Sequence, residues 1–241
     1  MGKVKTREKL IVDGKRLDGR LPEQLRTIEM KTGVVTRANG SALMKFGNTI
    51  AIASVHGPRA LFPRHLQESE TCLLRCRYNM APFSVDERKS PGPDRRSVEL
   101  SKVIRLALEP TLFLEDFPRA TIDVYVEILQ ADGSTRVAGI NAASLALADA
   151  GIPMRDLVAA CSVGKISGTL VVDLTADEDN NSEADLAFAM LPSKKKITLL
   201  QMDGILTKEE LNKLLKLAKD SCEKVYETQK KVLKEKYKRV E

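Results

Sequence analysis

Residues Ala138 to Ala150, AGINAASLALADA in one-letter code with its lead residue Ala138, are small and apolar on nearly every face. A helix of that kind has no side to turn to water, so it has to be buried. Gly151 and Pro153 stop it. Just upstream, Ala120 to Leu129 (ATIDVYVEIL) places Ile122, Val124, Val126 and Ile128 on one face at strand spacing. A half-buried strand therefore leads through a short turn, Asp132-Gly133-Ser134-Thr135-Arg136, into a buried helix. The rest of the chain has to be built around that unit.

The remaining elements are read by period and by turn residues. Ser41 to Val55 has β-rich segments on either side of Gly47-Asn48, a hairpin signal. Cys72 to Pro82 alternates and reads as a strand. Val158 to Leu174 holds two short β-like runs broken by Gly164 and Gly168. Glu183 to Leu191 and Lys196 to Met202 pair through Pro192-Ser193. A helix is expected from Ser97, as N-cap, to about Leu114, with Leu100, Val103, Ile104, Ala107 and Leu108 inward. Another runs from the capping box Thr207-x-x-Glu210 to about Tyr237, and its Lys-rich end, KVLKEKYKRVE, reads as a fraying, solvated terminus. Strands and helices mix without strict alternation. That favours an α+β fold of mixed α/β layers over a doubly wound parallel sheet. A hairpin followed by a helix recurs in each half. The organisation expected is one domain over residues 1–241, with a first half at about 15–150 and a second at 151–241 carrying the C-terminal helix.

Composition narrows the function classes. With 43% hydrophobic and 30% charged residues, the chain is neither disordered throughout nor fibrous. No apolar run approaches the ~20 residues that span a bilayer, so no membrane role is expected. The basic N-terminus, MGKVKTREKLIVDGKR, lacks the apolar core of a secretory signal. The four cysteines include no C-x-x-C pair, and the only histidines are His56 and His65. This argues against a zinc site and for free thiols in a reducing cytosol. Catalysis would rest on carboxylates, hydroxyls, Lys and Arg. The net charge is +6, and its distribution says more than its sum. Arg59, Arg64, Arg75, Arg77, Arg88, Arg95 and Arg96 crowd the first half. Ile166 to Ser193 holds no Lys or Arg but contains Asp173, Asp177, Glu178, Asp179, Glu183 and Asp185. Such a division suits metal-assisted phosphate chemistry; it is equally what two solvated surface patches would look like.

Four stretches could carry that chemistry. At Asp132 to Arg136 the start of the buried helix offers unpaired N–H groups and the positive end of its dipole. Ser134 and Thr135 add hydroxyls, Arg136 a guanidinium fork, and Gly133 allows close backbone approach. The bland alternative is a helix cap. Asp94-Arg95-Arg96 places adjacent arginines on a rigid turn where they could grip successive phosphates, or form only a basic corner. In Asp179-Asn180-Asn181-Ser182-Glu183-Ala184-Asp185, Asp179 is expected in a loop, with Glu183 and Asp185 on one face of the strand that follows. Those carboxylates could hold a hard divalent cation or protonate a leaving oxygen, or belong to a polar hairpin loop. Gly57 to His65, GPRALFPRH, reads as a loop whose Arg and His could touch nucleic acid.

Taken together the chain resembles the RNase PH family, and within it the catalytic branch of the archaeal exosome. The carriers span nearly the whole length: RLDGR (Arg16 to Arg20), GNT and its hairpin (Gly47 to Val55), GPR…PRH (Gly57 to His65), RYNMAPFS…ER (Arg77 to Arg88), RR…ELSKVIR (Arg95 to Arg105), FPR…IDV (Phe117 to Val124), ILQADGSTR (Ile128 to Arg136), AASLALADAGIPM (Ala142 to Met154) and EDNNSEAD (Glu178 to Asp185).

The resemblance implies an RNase PH-like fold, related to the ribosomal protein S5 domain 2-like fold. It implies a phosphate-binding turn at Gly133, Ser134, Thr135 and Arg136. Paired arginines at the RNA 3′ end fall on Arg95 and Arg96, an essential acidic pair on Asp179 and Asp185, and an RNA-contacting loop near Arg64. Bacterial members often have Gly where Ser134 stands. It further implies phosphate-dependent 3′-to-5′ shortening of single-stranded RNA to nucleoside diphosphates, with reverse tailing. Inorganic phosphate would be co-substrate, with Mg²⁺ or Mn²⁺ held by Asp179 and Asp185. The implied partners are an inactive RNase PH-type paralogue alternating in a hexameric ring, a trimer of heterodimers, and RNA-binding cap proteins, in the cytoplasm. Two alternatives stand beside it: a hydrolytic metal-dependent exonuclease, and a non-catalytic RNA-binding ring subunit.

Overall fold

The computed structural model describes residues 10–12 and 14–238. Most of the basic N-terminal stretch and the last three residues of the Lys-rich end lie outside the described residues. The chain opens on a small ribbon, β1 (Ile11–Val12) with β2 (Lys15–Arg16). Next come β3 (Ile28–Thr32), β4 (Gly40–Phe46), β5 (Thr49–Ala60), β6 (Leu73–Met80) and β7 (Ala120–Gln130), in one sheet of order β3-β4-β5-β7-β6. Neighbours there are antiparallel except β6 and β7, which run parallel. A crossover is needed for that parallel pair, and helix α1 (Arg95–Leu108) supplies it. The second sheet, β8 (Ala159–Ile166), β9 (Thr169–Val172), β10 (Ala184–Leu191) and β11 (Lys196–Gly204), is antiparallel in the order β11-β10-β8-β9.

Between β7 and β8 lies α2 (Thr135–Asp149), the helix with no polar side. It packs on β4 and β5 of the first sheet and on β8 and β10 of the second. Thirteen of its fifteen residues are buried, as its composition demands. Its few polar side chains are answered inside the core. The Asn141 amide donates to Ala160 O at 2.8 Å and accepts from Ala160 N at 2.9 Å, and Ser144 Oγ accepts from Val158 N at 2.8 Å. The short α3 (Ala176–Asn181) links β9 to β10. The long α4 (Lys208–Tyr237) starts at the Thr207–Glu210 capping box and packs on β8, β9 and β3. The main apolar core runs through both sheets, α1, α2 and α4, and a smaller cluster of Leu10, Ile166, Val171 and Leu174 lies apart from it. The layered α+β arrangement expected from the sequence is the one observed. Cys72, Cys161 and Cys222 are buried and Cys76 half-buried, all as free thiols. No helix among the described residues is long and apolar enough to cross a membrane.

Several local expectations are corrected. The N-cap of α1 is Asp94: its carboxylate accepts from Ser97 N at 2.6 Å, and Ser97 Oγ accepts from Asp94 N at 2.9 Å. The helix ends at Leu108 rather than Leu114, because Pro110 cannot donate the next helical bond. Helix α2 begins at Thr135, a turn earlier than the apolar run. Only Ser167-Gly168 breaks β8 from β9; Gly164 lies within β8, where a Cβ would strike Ala184 O. Strand β5 runs on through Ala60, so Gly57 to Arg59 are strand and not loop. Asp179 sits on α3 rather than in a loop, because Thr175 and Glu178 form a capping box. The Lys-rich end does not fray within the described residues. Lys236 pairs with the Asp149 carboxylate at the end of α2, and Tyr237 Oη donates to Asp149 O at 3.2 Å.

Candidate active site

Where β7 gives way to α2, two consecutive residues adopt left-handed backbone, Gly133 at φ 70° and Ser134 at φ 55°. A Cβ on Gly133 would lie 2.6 Å from Thr175 C, so only glycine lets α3 begin directly against this turn. Ser134 tolerates its conformation because its hydroxyl is anchored on Ser162 Oγ (2.6 Å), Leu174 O (3.0 Å) and Asp173 Oδ1 (3.2 Å). This revises its expected part: the Ser134 hydroxyl faces protein. It makes no side-chain cap, which leaves the first N–H groups of α2 aimed forward.

A buried ionic bracket fixes this turn against α3. Arg26 donates to Asp173 from its backbone N (2.9 Å), Nε (2.9 Å) and Nη2 (2.7 Å). Its Nη1 reaches the Asp132 carbonyl. The Asp132 carboxylate accepts from Ala176 N at 3.1 Å, the first N–H of α3, and from Asn48 in the β4–β5 turn at 3.2 Å. Arg16 donates from Nε to Glu178 Oε1 at 2.7 Å, pairs with Oε2 through Nη2, and reaches the carbonyls of Val172 (2.5 Å) and Asp173 (2.8 Å). Burial pushes the Asp173 and Glu178 carboxyls up, but Arg26 and Arg16 outweigh it and hold both below their ordinary values.

The turn, the start of α1, α3 and β10 enclose a cleft of about 510 Å³. Arg96, Ser134, Thr135, Arg136, Asp179 and Asp185 all line it. Arg95 is exposed beside Arg96 on α1 but does not line the cleft. Nor does Arg64: it lies in the turn Arg64–Leu66 beside a separate, shallower concavity with Arg59, Phe62 and Arg119. Asp179 stands exposed at the cleft mouth, where partial desolvation raises its pKa against the charges of Arg96 and Arg136. Asp185 is pushed up to about 6, first by burial, then by the neighbouring charges of Asp179 and Asp203, with Arg136 opposing. One wall can therefore hold anions. The same cleft carries two carboxyls, one of them able to carry a proton near neutrality.

Sequence reasoning passed over Asp203, Glu99 and Gln201, which also line the cleft. Asp203 is the register partner of Asp185 across β10 and β11. It also passed over the Arg16–Glu178 and Arg26–Asp173 bracket, whose one signal is a pair of arginines near the start matched to the acidic window. Glu183, grouped with Asp185 in the sequence, precedes β10. It lines the cleft, while its carboxylate accepts from Gly168 N at 2.8 Å and lies 3.3 Å from Lys165.

This fold and this cleft are those of a known class. Residues 24–153 match the 3′ exoribonuclease family, domain 1, and residues 156–221 match domain 2 of the same family. The chain belongs to the RNase PH family of 3′ exoribonucleases. Among its relatives is the exosome complex component Rrp41 of Pyrococcus furiosus, 63% identical over 225 residues that cover 93% of this chain and 90% of the relative. The Rrp41 of Thermococcus gammatolerans is 59% identical over 237 residues, 98% of this chain and 95% of the relative. The crystal structure of rice (Oryza sativa) Rrp46 superposes with a TM-score of 0.81 at 22% identity, over 90% of this chain and all of that one, a likeness of fold.

Proposed function

We propose that this chain is the catalytic RNase PH-type subunit of an archaeal exosome, and that it shortens single-stranded RNA from the 3′ end by phosphorolysis. The observation that carries the reading is the cleft itself, with Arg96, the N-terminus of α2 with Thr135 and Arg136, and the Asp179–Asp185 pair around one space. Bringing inorganic phosphate up to an RNA phosphodiester sets two anions against each other. Guanidinium charge and the helix N–H groups, whose positions the backbone fixes, offset that repulsion. Thr135, Arg136 and the N–H groups of α2 hold phosphate; Arg96 holds the terminal phosphodiester, with Arg95 serving the backbone outside the cleft. A phosphate oxygen bonds to the terminal phosphorus. The bond from that phosphorus to the preceding 3′ oxygen breaks, giving a nucleoside diphosphate and an RNA one residue shorter. The departing oxygen ends with a proton, and the raised pKa of Asp185 makes its carboxyl a fitting donor. The reverse reaction adds a nucleotide from a nucleoside diphosphate.

The two carboxylates also fit Mg²⁺ or Mn²⁺. Such a cation takes one or two protein carboxylates beside substrate phosphates, and their mutual repulsion is relieved by positive charge between them. Its chemistry would be neutralisation of charge at the leaving oxygen. The partners of this reading are an inactive RNase PH-type paralogue in a hexameric ring and RNA-binding caps. Arg64 would meet RNA on its way to the cleft.

The test is shortening of a 5′-labelled oligoadenylate by the chain with its ring paralogue and Mg²⁺, with and without phosphate. Diphosphates formed only with phosphate are expected. Monophosphates without phosphate would mean hydrolysis. No shortening in the verified assembly would mean an inert ring subunit. Asp179→Asn should lower the rate by at least about 10²-fold while RNA binding survives.

A further inference from the structure

Beneath the cleft, three polar atoms are buried with no hydrogen-bond partner among the described residues: Tyr78 Oη, Thr135 Oγ1 and Arg136 Nε. A buried polar atom left open costs stability, so a cluster of three calls for a cause. Tyr78 is only 2% exposed. It stands on β6 with its backbone N bonded to Ser101 Oγ of α1 at 2.8 Å, and its ring lies against Gly139 of α2, where a Cβ would come within 3.8 Å. It is thus wedged between the two helices whose first turns carry Arg96 and Thr135-Arg136. Its hydroxyl faces the side chains of Thr135 and Arg96, with the Arg136 charge close by. Burial raises its pKa, so the phenol keeps its proton at any working pH.

We infer that Tyr78 is a positioning residue for the oxyanion: its hydroxyl donates to Thr135 Oγ1 and so turns the Thr135 proton toward phosphate bound at the start of α2. A threonine hydroxyl has one proton and two lone pairs. Once Tyr78 donates to it, its own proton is directed into the cleft. Tyr78 does not line the cleft and touches no substrate; it acts only through Thr135. The inference rests on the phosphorolytic reading and adds a residue to it.

The test uses the assembly in which the wild-type chain shortens RNA. Tyr78→Phe keeps the ring and removes one oxygen. The expected result is a phosphate KM about fivefold higher, the worth of one neutral hydrogen bond. RNA affinity without phosphate should be unchanged, and the melting temperature unchanged or raised, because an open buried hydroxyl has gone. On a Thr135→Val background Tyr78→Phe should add nothing, and on Thr135→Ser its effect should return. A phosphate KM within about twofold of wild type in Tyr78→Phe, an equal effect on Thr135→Val, or joint loss of RNA binding and thermal stability would each overturn the role. Phosphate-independent shortening by the wild type would instead overturn the underlying reading, and this inference with it. A phosphate-dependent wild type with a silent Tyr78→Phe removes Tyr78 alone.

Discussion

Replacing Arg16 with methionine takes away a guanidinium that makes bonds to Glu178, Val172 O and Asp173 O, and leaves Glu178 with a side chain only 2% exposed. Breaking a buried pair from one side costs about 3–5 kcal/mol, because the remaining charge keeps its desolvation without its partner. For a chain of this size, at about 2–4 °C per kcal/mol, melting should fall by roughly 6–20 °C. The pH dependence has a definite sign. In the wild type the Glu178 carboxyl is held below its ordinary value, so its contribution is present at neutral pH and lost as pH falls through the lowered value. In Arg16→Met the same carboxyl is buried without its cation and its pKa rises. The penalty is then largest near neutrality and shrinks as acid protonates it. Replacing both partners, Arg16→Met with Glu178→Leu, should recover only the ionic part of the loss, because Glu178 also accepts from Thr175 N at 2.9 Å in the α3 capping box. Asp179 follows Glu178 on α3, so the single variant should also lose activity at temperatures where it is folded. Urea unfolding at a series of pH values reads all of this. A penalty below about 1 kcal/mol, flat with pH, would refute the idea that this pair is dry and holds α3 in place.

Three further expectations test the cleft. Gly133→Ala forces a Cβ into the backbone at Leu174–Thr175 and strains a φ of 70°; it should cost at least about 1–2 kcal/mol and lower activity as well, read by melting and by turnover. Measured without a divalent cation, the pH–rate profile should carry a limb near pH 6 from Asp185. Asp185→Asn should abolish that limb, and Asp203→Asn should move it to lower pH, since removing a negative neighbour eases ionisation. Arg64→Ala should leave the phosphate KM unchanged while weakening long single-stranded RNA, lowering the slope of log affinity against log salt by about 0.7.

The parts of the fold legible in the sequence were those whose side chains declare a period or a cap. Ile122, Val124, Val126 and Ile128 marked β7, the apolar run after Arg136 marked α2, and Thr207 with Glu210 marked the start of α4. Strand β3 gave no such signal: Ile28–Thr32 is short and carries two charges because it lies at the sheet edge. The parallel pairing of β6 with β7 is a matter of topology, which no local period encodes. Motif spacing brought Arg96, Thr135, Arg136, Asp179 and Asp185 to notice, and the structure gathers them around one cleft. Asp203 stayed hidden for a physical reason. Counting back from Leu191 opposite Lys196 pairs Asp185 with Met202, but an irregularity at Ala189/Met190 shifts the ladder by one and brings Asp203 across instead. Tyr78 stayed hidden because an aromatic in an alternating strand reads only as core.

The bracket around α3 also bears on how the protein comes into being. Arg16 meets Glu178 across 162 positions of sequence, Arg26 meets Asp173 across 147, and Lys236 closes on Asp149 across 87. Contacts this distant make folding slow, since the loops must close before the bonds repay them. During synthesis, at roughly 5–20 residues per second, the two leading arginines wait many seconds for their carboxylates. The face of β3 that α4 will cover waits for the final helix. The cleft is thus completed late, because Asp173, Glu178, Asp179 and Asp185 all follow in the chain the arginines they face.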